Sequence, residues 1–471
     1  MKVLVIGKGG REHALVWKLA QSPRVERVFC APGNAGTAID GTNVPIDVND
    51  FDALVAFVKK EGIGLTVVGP EDPLARGIVD HFQRLELRIF GPSKEAARLE
   101  ASKVFSKKLM RHADVPTADF MVFEHPETAR NYVYTREYVV LDNKTVHYPF
   151  PKMQVVTEDG VKYLVHPVNG KKIKIGDPEP LVVKADGLAA GKGVFVCDGT
   201  SDAVSAIERI MTREEFGREA GRRILIEKRL QGEEVSLLAL VAGRTIIMLP
   251  PTQDHKRALD GDKGSNTGGM GAYCPAPIGK PEVLDVASRD VFVPTVHAMR
   301  RRRTPFRGIL YAGLMVTSHG PKVLEYNCRF GDPEAQPVLM RLKTDLVDVL
   351  EAAIEDRLDI YAEHGLEWDQ RPAVCVVMAA GGYPDKFEKG NPITGLEKAA
   401  ALPDVKVFHA GTRQQGTDIL TDGGRVLGVT ALGTTLEQAR TRAYEACALI
   451  SFKNAHYRRD IGLKGLQATE E

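Results

Sequence analysis

Glu325 and Asn327 stand two residues apart in the run LEYNCRFGDPE. On an extended strand, side chains two apart point to one face. Two oxygen donors aimed together suit Mg²⁺, which takes one or two protein groups and completes its shell with phosphate and water. A second chemistry-bearing stretch, LVVKADGLAAGKGVFV, sets Gly187, Gly191 and Gly193 among Lys184 and Lys192. Glycines let backbone N–H groups approach a ligand, and lysines add positive charge, so this loop is suited to a polyphosphate. It is not a Walker A loop, because Gly187 and Gly191 are too close, Gly193 follows Lys192, and a strand rather than a helix comes next. The competing readings are a solvated glycine turn for the loop and a half-buried strand with outward polar residues for the pair.

Three further turns can hold an anion. GKGGREHA places Gly9, Gly10 and Arg11 between a strand and a helix, where backbone N–H groups and the helix start offer donors. The dinucleotide fingerprint fails there: its third glycine is Glu12, and no acidic residue ends the second strand. PGNAG, with Asn34, and GPEDPL, with Glu71, follow strands on the same carboxyl edge, where open α/β sheets bind ligands. Both also read as plain tight turns. The strand edge from Glu227 through Lys228 and Leu230 to Glu234 can offer backbone groups to a base and a carboxylate to a ribose, although a polar connection is the default for such residues. A long stretch with almost no apolar periodicity carries Asp254, Lys256, Asn266, Gly268 and Gly269, and loops of that length inside a domain are usually functional. Cys328 beside Arg329 has no histidine near it in sequence to act as base, so a reactive thiol is not expected. The four arginines 300–303 end an amphipathic helix, where cations suit the helix dipole.

The elements that must position these residues read as α/β throughout. At 471 residues the chain has room for about three domains. Strand runs at 3–6, 25–30, 65–68 and 88–90 alternate with helical patterns at 52–60 and 74–87, which predicts an N-terminal open parallel sheet. A helix is expected over 99–112, a hairpin at 181–183 and 194–196, and paired strands at 311–317 and 322–326. The stretch 138–180 is too rich in β-branched and aromatic residues for a linker and reads as a small β excursion. A helix at 342–357, strands at 373–378, 405–409 and 425–430 and a helix at 436–448 predict a small α+β C-terminal domain. Hydrophobic residues make up 43% and charged ones 27%, and the net charge is +1, which excludes a nucleic-acid-type basic excess. No apolar run approaches the ~18 residues of a membrane span, and six scattered cysteines suggest neither a disulfide frame nor a zinc site. A cytoplasmic protein with no membrane or nucleic-acid partner is expected.

Taken together, GKGGREHA, APGNAG, VGPEDPL, LEASK, VVKADGLAAGKGV, DHKR, NTGGMGAY, LYAGLM, LEYNCRFGDPE and VVMAAGGYP occur in the order found in the glycinamide ribonucleotide synthetases, a family of the ATP-grasp superfamily that this chain closely resembles. The resemblance implies an N-terminal substrate domain over 1–101, an ATP-grasp domain over 102–334 with the insertion at about 138–180, and a C-terminal domain over 335–471. It implies ATP as co-substrate with Mg²⁺ or Mn²⁺, glycine and 5-phosphoribosylamine as substrates, a carbon–nitrogen ligase reaction in purine biosynthesis, and a monomer. Lys103 and Lys184, with the glycine loop, would then meet the phosphates. The segment Glu227–Leu230 would hold the adenine, Glu234 the ribose, and Glu325 with Asn327 the metal. Substrate phosphate and glycine would lie among Gly9, Gly10, Arg11, Asn34, Glu71, Asp254, Lys256, Asn266, Gly268, Gly269 and Arg329, with Lys184, Arg329 and Asp254 as catalytic residues. Two features depart from the family pattern: the 138–180 excursion, expected to be dispensable for catalysis, and the strand LYAGLM, which lacks the carboxylate many ATP-grasp enzymes place before the E-x-N pair. Another ATP-grasp ligase or a non-catalytic nucleotide sensor are the alternatives.

Overall fold

The structure is a computed structural model that describes residues 1–136, 138–141, 144–147, 154–158, 161–165, 170–175, 180–188 and 192–468. These fall into two compact units, one of residues 1–100, 109–116 and 232–471, the other of 101–108 and 117–231.

In the first unit the N-terminal alternation yields a parallel five-stranded sheet, in spatial order Thr42–Asn43, Arg27–Pro32, Lys2–Gly7, Ile63–Val68 and Ile89–Phe90. Its central strand is apolar on both faces because both are covered. Leu4 and Ile6 pack with Leu54, Val58, Ile78 and Phe82, while Val3 and Val5 pack with Leu15 and Leu19. The helix expected over 74–87 is two, Glu71–Arg76 and Ile78–Gln83, parted at Gly77. At the first strand's end Gly7 has φ 129°, and a Cβ there would lie 2.4 Å from Glu12 Cγ, so the strand–turn–helix passage requires glycine.

Two larger antiparallel sheets also belong to this unit. One runs Thr245–Met248, Glu233–Ala242, Gly308–Thr317, Gly320–Asn327. The other, C-terminal, runs Gln253–Asp254, Gly271–Cys274, Ala373–Ala379, Arg425–Leu432, Val405–His409, and packs under helix Leu436–Leu449 through Ala439, Ala443 and Ala446. The stretch expected to be one long loop therefore supplies two strands to this sheet, and also the hairpin Arg257–Leu259/Lys263–Asn266. Strands of two to four residues show no periodicity, and Gly271–Cys274 pairs on one side with the two-residue Gln253–Asp254 and on the other with the distant Ala373–Ala379.

The second unit holds the antiparallel sheet Val194–Cys197, Leu181–Ala185, Ile224–Lys228, Phe120–Phe123, covered by helices Pro126–Tyr134 and Thr200–Ile207. The excursion is β structure, with a hairpin Tyr138–Leu141/Lys144–His147 and a sheet of Gln154–Glu158, Val161–Val165 and Lys172–Lys174. The helix expected over 99–112 is again two, Lys94–Ala101 and Lys103–His112. They break at Ser102, whose Oγ accepts from the Phe105 N–H at 3.1 Å as an N-cap.

Within the first unit a buried network joins the first helix to the last strands. The His409 N–H donates to His13 Nδ1 at 2.7 Å, so His13 Nε2 carries the proton toward Asp40 Oδ2 at 2.9 Å, and Lys406 Nζ donates to the same oxygen at 2.6 Å. Burial, then the neighbouring His13 and Lys406, hold His409 down at about 3. A depressed folded pKa contributes stability that is complete above the unfolded value of 6.5 and is lost as pH falls toward 3. His409 alone should cost about 2 kcal/mol of unfolding free energy between pH 7 and pH 5. Urea unfolding of the parent and a His409→Asn variant across that window should show a shallower pH slope in the variant.

Candidate active site

In the second unit Lys184 lies on the strand Leu181–Ala185 rather than in the loop after it. It stands opposite Leu225, which places Glu227, two residues on, on the same face. Lys184 Nζ lies 2.9 Å from Glu227 Oε2, and Lys107 Nζ lies 3.2 Å from Oε1. All three are buried. Burial pushes the Glu227 carboxyl up, and the two ammoniums more than reverse it, so it ends below its ordinary range. The Glu227 side chain thus anchors two lysines. Lys228 is exposed, and its N–H donates to Asp119 O at 3.0 Å. Leu230 lies just past the strand end.

The glycine loop is tied to the helix Lys103–His112 by Asp186. Its Oδ1 accepts from Ser102 Oγ at 3.0 Å and from the Val104 N–H at 3.1 Å, while Arg223 Nη2 donates to Oδ2 at 2.6 Å. Lys103 Nζ donates to Gly187 O at 2.9 Å, so the two predicted phosphate contacts are neighbours. Gly193 O accepts from the Ala185 N–H at 2.8 Å, closing the hairpin. Gly191 lies outside the described residues.

In the first unit antiparallel pairing puts Ser236 and Glu325 on either side of Gly313, and Asn327 opposite Tyr311. The register slips at Gly313/Leu314, where a bulge brings Glu325 into line with Gly313. Lys256 Nζ is shared by Glu234 Oε2 at 3.1 Å and Glu325 Oε1 at 3.6 Å. Asp254 is half-buried with its Oδ1 shielded from solvent and unpartnered, and desolvation, then the charge of Glu334, lift its carboxyl well above the usual range. Glu334 Oε1 accepts from the Tyr311 hydroxyl at 2.8 Å, and that hydroxyl lies 2.9 Å from Ser236 Oγ. A Cβ on Gly269, at φ 111°, would lie 2.7 Å from Asp254 Oδ1, so this loop can approach the carboxyl only as glycine. Gly268 is held from both sides: its N–H donates to the Tyr383 hydroxyl at 3.1 Å, and its carbonyl accepts from Arg425 Nη1 at 2.7 Å. Asn266 ends the Lys263–Asn266 strand, opposite Arg257.

Around the N-terminal turns, Glu12 accepts from the Gly9 N–H at 2.5 Å and from Arg11 Nε at 2.6 Å, and Arg11 Nη1 donates to Phe330 O at 3.1 Å. A Cβ on Gly10 would meet Gln336 Nε2 at 2.6 Å and Asp332 Oδ1 at 3.4 Å. Asn34 is a brace: its amide nitrogen donates to Lys8 O and His409 O at 2.9 Å each, and its oxygen accepts from the Gly36 and Thr37 N–H groups. Arg329 Nη2 pairs with Glu100 Oε1 at 2.8 Å, and its Nε lies 3.4 Å from Glu71 Oε2. Glu71 is therefore a partner of Arg329. Glu100 Oε2 accepts from the Cys328 N–H at 2.7 Å, so one carboxylate fixes both the strand end and the guanidinium.

Sequence reasoning missed Lys107, Asp186, Glu100, Tyr311, Glu334 and Arg425. Asp186, Glu100, Tyr311 and Glu334 lie inside the motifs KADG, LEASK, LYAGLM and DPE, and Lys107 is one helical turn beyond Lys103. Only Arg425 carried no local signal, because its partners are far away in sequence. Glu100→Ala should lower the unfolding free energy by about 1–3 kcal/mol in urea, since it leaves the mostly buried Arg329 with only Glu71, at 3.4 Å, as a close carboxylate.

Three family models match the chain: the phosphoribosylglycinamide synthetase N domain over residues 1–100, its ATP-grasp (A) domain over 143–335, and its C domain over 373–464. The ATP-grasp match runs through most of the β excursion. The phosphoribosylamine–glycine ligase of Rhodopirellula baltica is 51% identical, with 100% of this chain and 99% of the relative covered. That of Allochromatium vinosum is 47% identical, with 99% of each covered. The crystal structure of the phosphoribosylamine–glycine ligase of Thermotoga maritima superposes with a TM-score of 0.77 at 31% identity, over 98% of this chain and 100% of that one. The biotin carboxylase domain of a Hydrogenobacter thermophilus 2-oxoglutarate carboxylase, at 15% identity and TM-score 0.67, shares the fold. With N, ATP-grasp and C domain matches along its length and relatives at this identity end to end, the chain belongs to the phosphoribosylglycinamide synthetase family.

Proposed function

We propose that this chain joins glycine to 5-phosphoribosylamine, converting ATP to ADP and phosphate and forming glycinamide ribonucleotide in purine biosynthesis. The observation that carries this reading is 51% identity along the whole chain to a protein named phosphoribosylamine–glycine ligase. The arrangement of charges supports it. A carboxylate is a poor acyl donor because its leaving group would be oxide. Transfer of the γ-phosphoryl group to the glycine carboxylate breaks the γ-phosphate's bond to ADP and forms glycyl phosphate. The phosphoribosylamine nitrogen then attacks the acyl carbon, and phosphate leaves with the bonding pair. Such a sequence needs no covalent nucleophile from the protein, only charge neutralisation and alignment.

Lys103, Lys184 and the loop of Gly187, Gly191 and Gly193 take the phosphates in this reading, with Glu227, Lys228 and Leu230 at the base and Glu234 at the ribose. Asp254, Lys256, Asn266, Gly268, Gly269 and Arg329, with the turns of Gly9, Gly10, Arg11, Asn34 and Glu71, serve glycine and the phosphoribosyl group. The domains then divide at about 101 and 335. The donor set fits a divalent ion: Glu325 and Asn327 are hard oxygen ligands, and no cluster of three or more His, Cys, Asp or Glu competes for it among the described residues. When bound, Mg²⁺ or Mn²⁺ offsets negative charge on the transferring phosphoryl group. The reading takes the chain to be a cytoplasmic monomer acting on small molecules; no helix among the described residues is long and apolar enough to cross a membrane.

ADP release should require both glycine and phosphoribosylamine, and Glu325→Ala should lower it by at least 10²-fold. Release in the absence of both substrates would sink the ligase reading, and an unchanged rate in the variant would sink the metal assignment. Lys184→Met should lower kcat/KM for ATP by about 10²–10³-fold, measured by coupled ADP detection.

A further inference from the structure

The ammonium of Lys256 stands between two carboxylates from neighbouring parts of one sheet: Glu234, at the start of Glu233–Ala242, and Glu325, near the end of Gly320–Asn327. Resting on the assignment of Glu325 as a metal donor in the proposed ligase site, we propose that Lys256 occupies the position of the divalent ion in the nucleotide-free protein. It so keeps a free ion out until one arrives already bound to the polyphosphate.

The charges explain why. Glu234 and Glu325 converge on one cation, and each side chain remains about a third or more exposed, at 43% and 34%, so an ion in solution can reach them. An isolated exposed ion pair contributes little, but here one ammonium serves two carboxylates whose mutual repulsion it removes. A divalent ion entering alone must displace that ammonium, strand it beside a dication, and shed part of a tightly held water shell for two or three protein oxygens. The same ion on a nucleotide brings its own phosphate oxygens, and those phosphates give the displaced ammonium a new partner. Lys256 is 31% exposed and has a flexible four-carbon stem, so it has room to make that exchange. Ordered entry of nucleotide with metal then follows from charge placement alone.

Mn²⁺ binding to the nucleotide-free protein, followed by electron paramagnetic resonance, tests this without any turnover. Lys256→Met and Lys256→Gln should each bind free Mn²⁺ at least tenfold more tightly than the parent, and Lys256→Arg, which keeps the cation, should bind like the parent. Equal free-Mn²⁺ affinity in the parent and both neutral variants would overturn the proposal, as would an Arg variant that opens the site as fully as Met. A Glu325→Ala arm, measured with Mn²⁺ and β,γ-methylene-ATP, separates the two readings. If that variant holds metal–nucleotide as tightly as the parent, the metal assignment fails. If it loses metal–nucleotide while the neutral Lys256 variants show no gain in free Mn²⁺, only the placeholder role fails.

Discussion

Lys184, Lys256 and Arg329 are each held against at least one carboxylate, and much of the candidate site is arranged around that neutralisation. A site that receives polyanions must carry several cations, and buried cations are costly wherever no anion is present. The chain meets this constraint internally. Glu227 serves two lysines, Glu100 serves Arg329, and Glu234 with Glu325 serves Lys256. In the proposed ligase each carboxylate is a stand-in for substrate charge. Because each sits on a strand or at a helix end, the cations are aimed before any ligand arrives, which is the preorganisation that electrostatic catalysis requires.

The aim depends on sheet register. Side chains on one face recur every second residue, so a slip of one residue would turn Glu325 and Asn327 away together. The bulge at Gly313/Leu314 is where the register is set, and Gly313 there presents only a hydrogen toward Glu325, whose Cγ would lie 3.4 Å from an added Cβ. The pairing of Lys184 with Leu225 does the same for Glu227 in the other unit. In both cases a backbone ladder that carries no chemistry decides which charges meet.

Much of this was legible in the sequence, and what was not has a common cause. The parallel N-terminal sheet, the hairpin around the glycine loop and the Glu325/Asn327 face follow from local periodicity and glycine punctuation. Helix ends at Ser102 and Gly77 were hidden because continuous apolar spacing ran across them, and only a capping hydroxyl or a left-handed glycine marks the break. The bracing role of Asn34 was hidden too, because the partners of its amide, Lys8 and His409, lie outside its own turn. The loop carrying Asp254 and Gly268 looked structureless because its strands are short and its partners, Val376 and Arg425, lie far away in sequence. Local patterns specify elements; which carboxylate neutralises which cation is a property of the closed fold.

The cysteines show what the chemistry does without. All six are buried and unpaired, and burial, then the charge of Glu100, pushes the Cys328 thiol well above its usual range. A thiol in that state is a small apolar side chain, not a nucleophile. Asp254 is shifted the same way by the same cause, but it faces the approach of Gly269 and the charge of Glu334. The two groups share a cause and differ in the company each keeps. For a reaction that proceeds through an acyl phosphate, with no bond from substrate to protein, this placement of protons and charges is the whole of what the side chains have to supply.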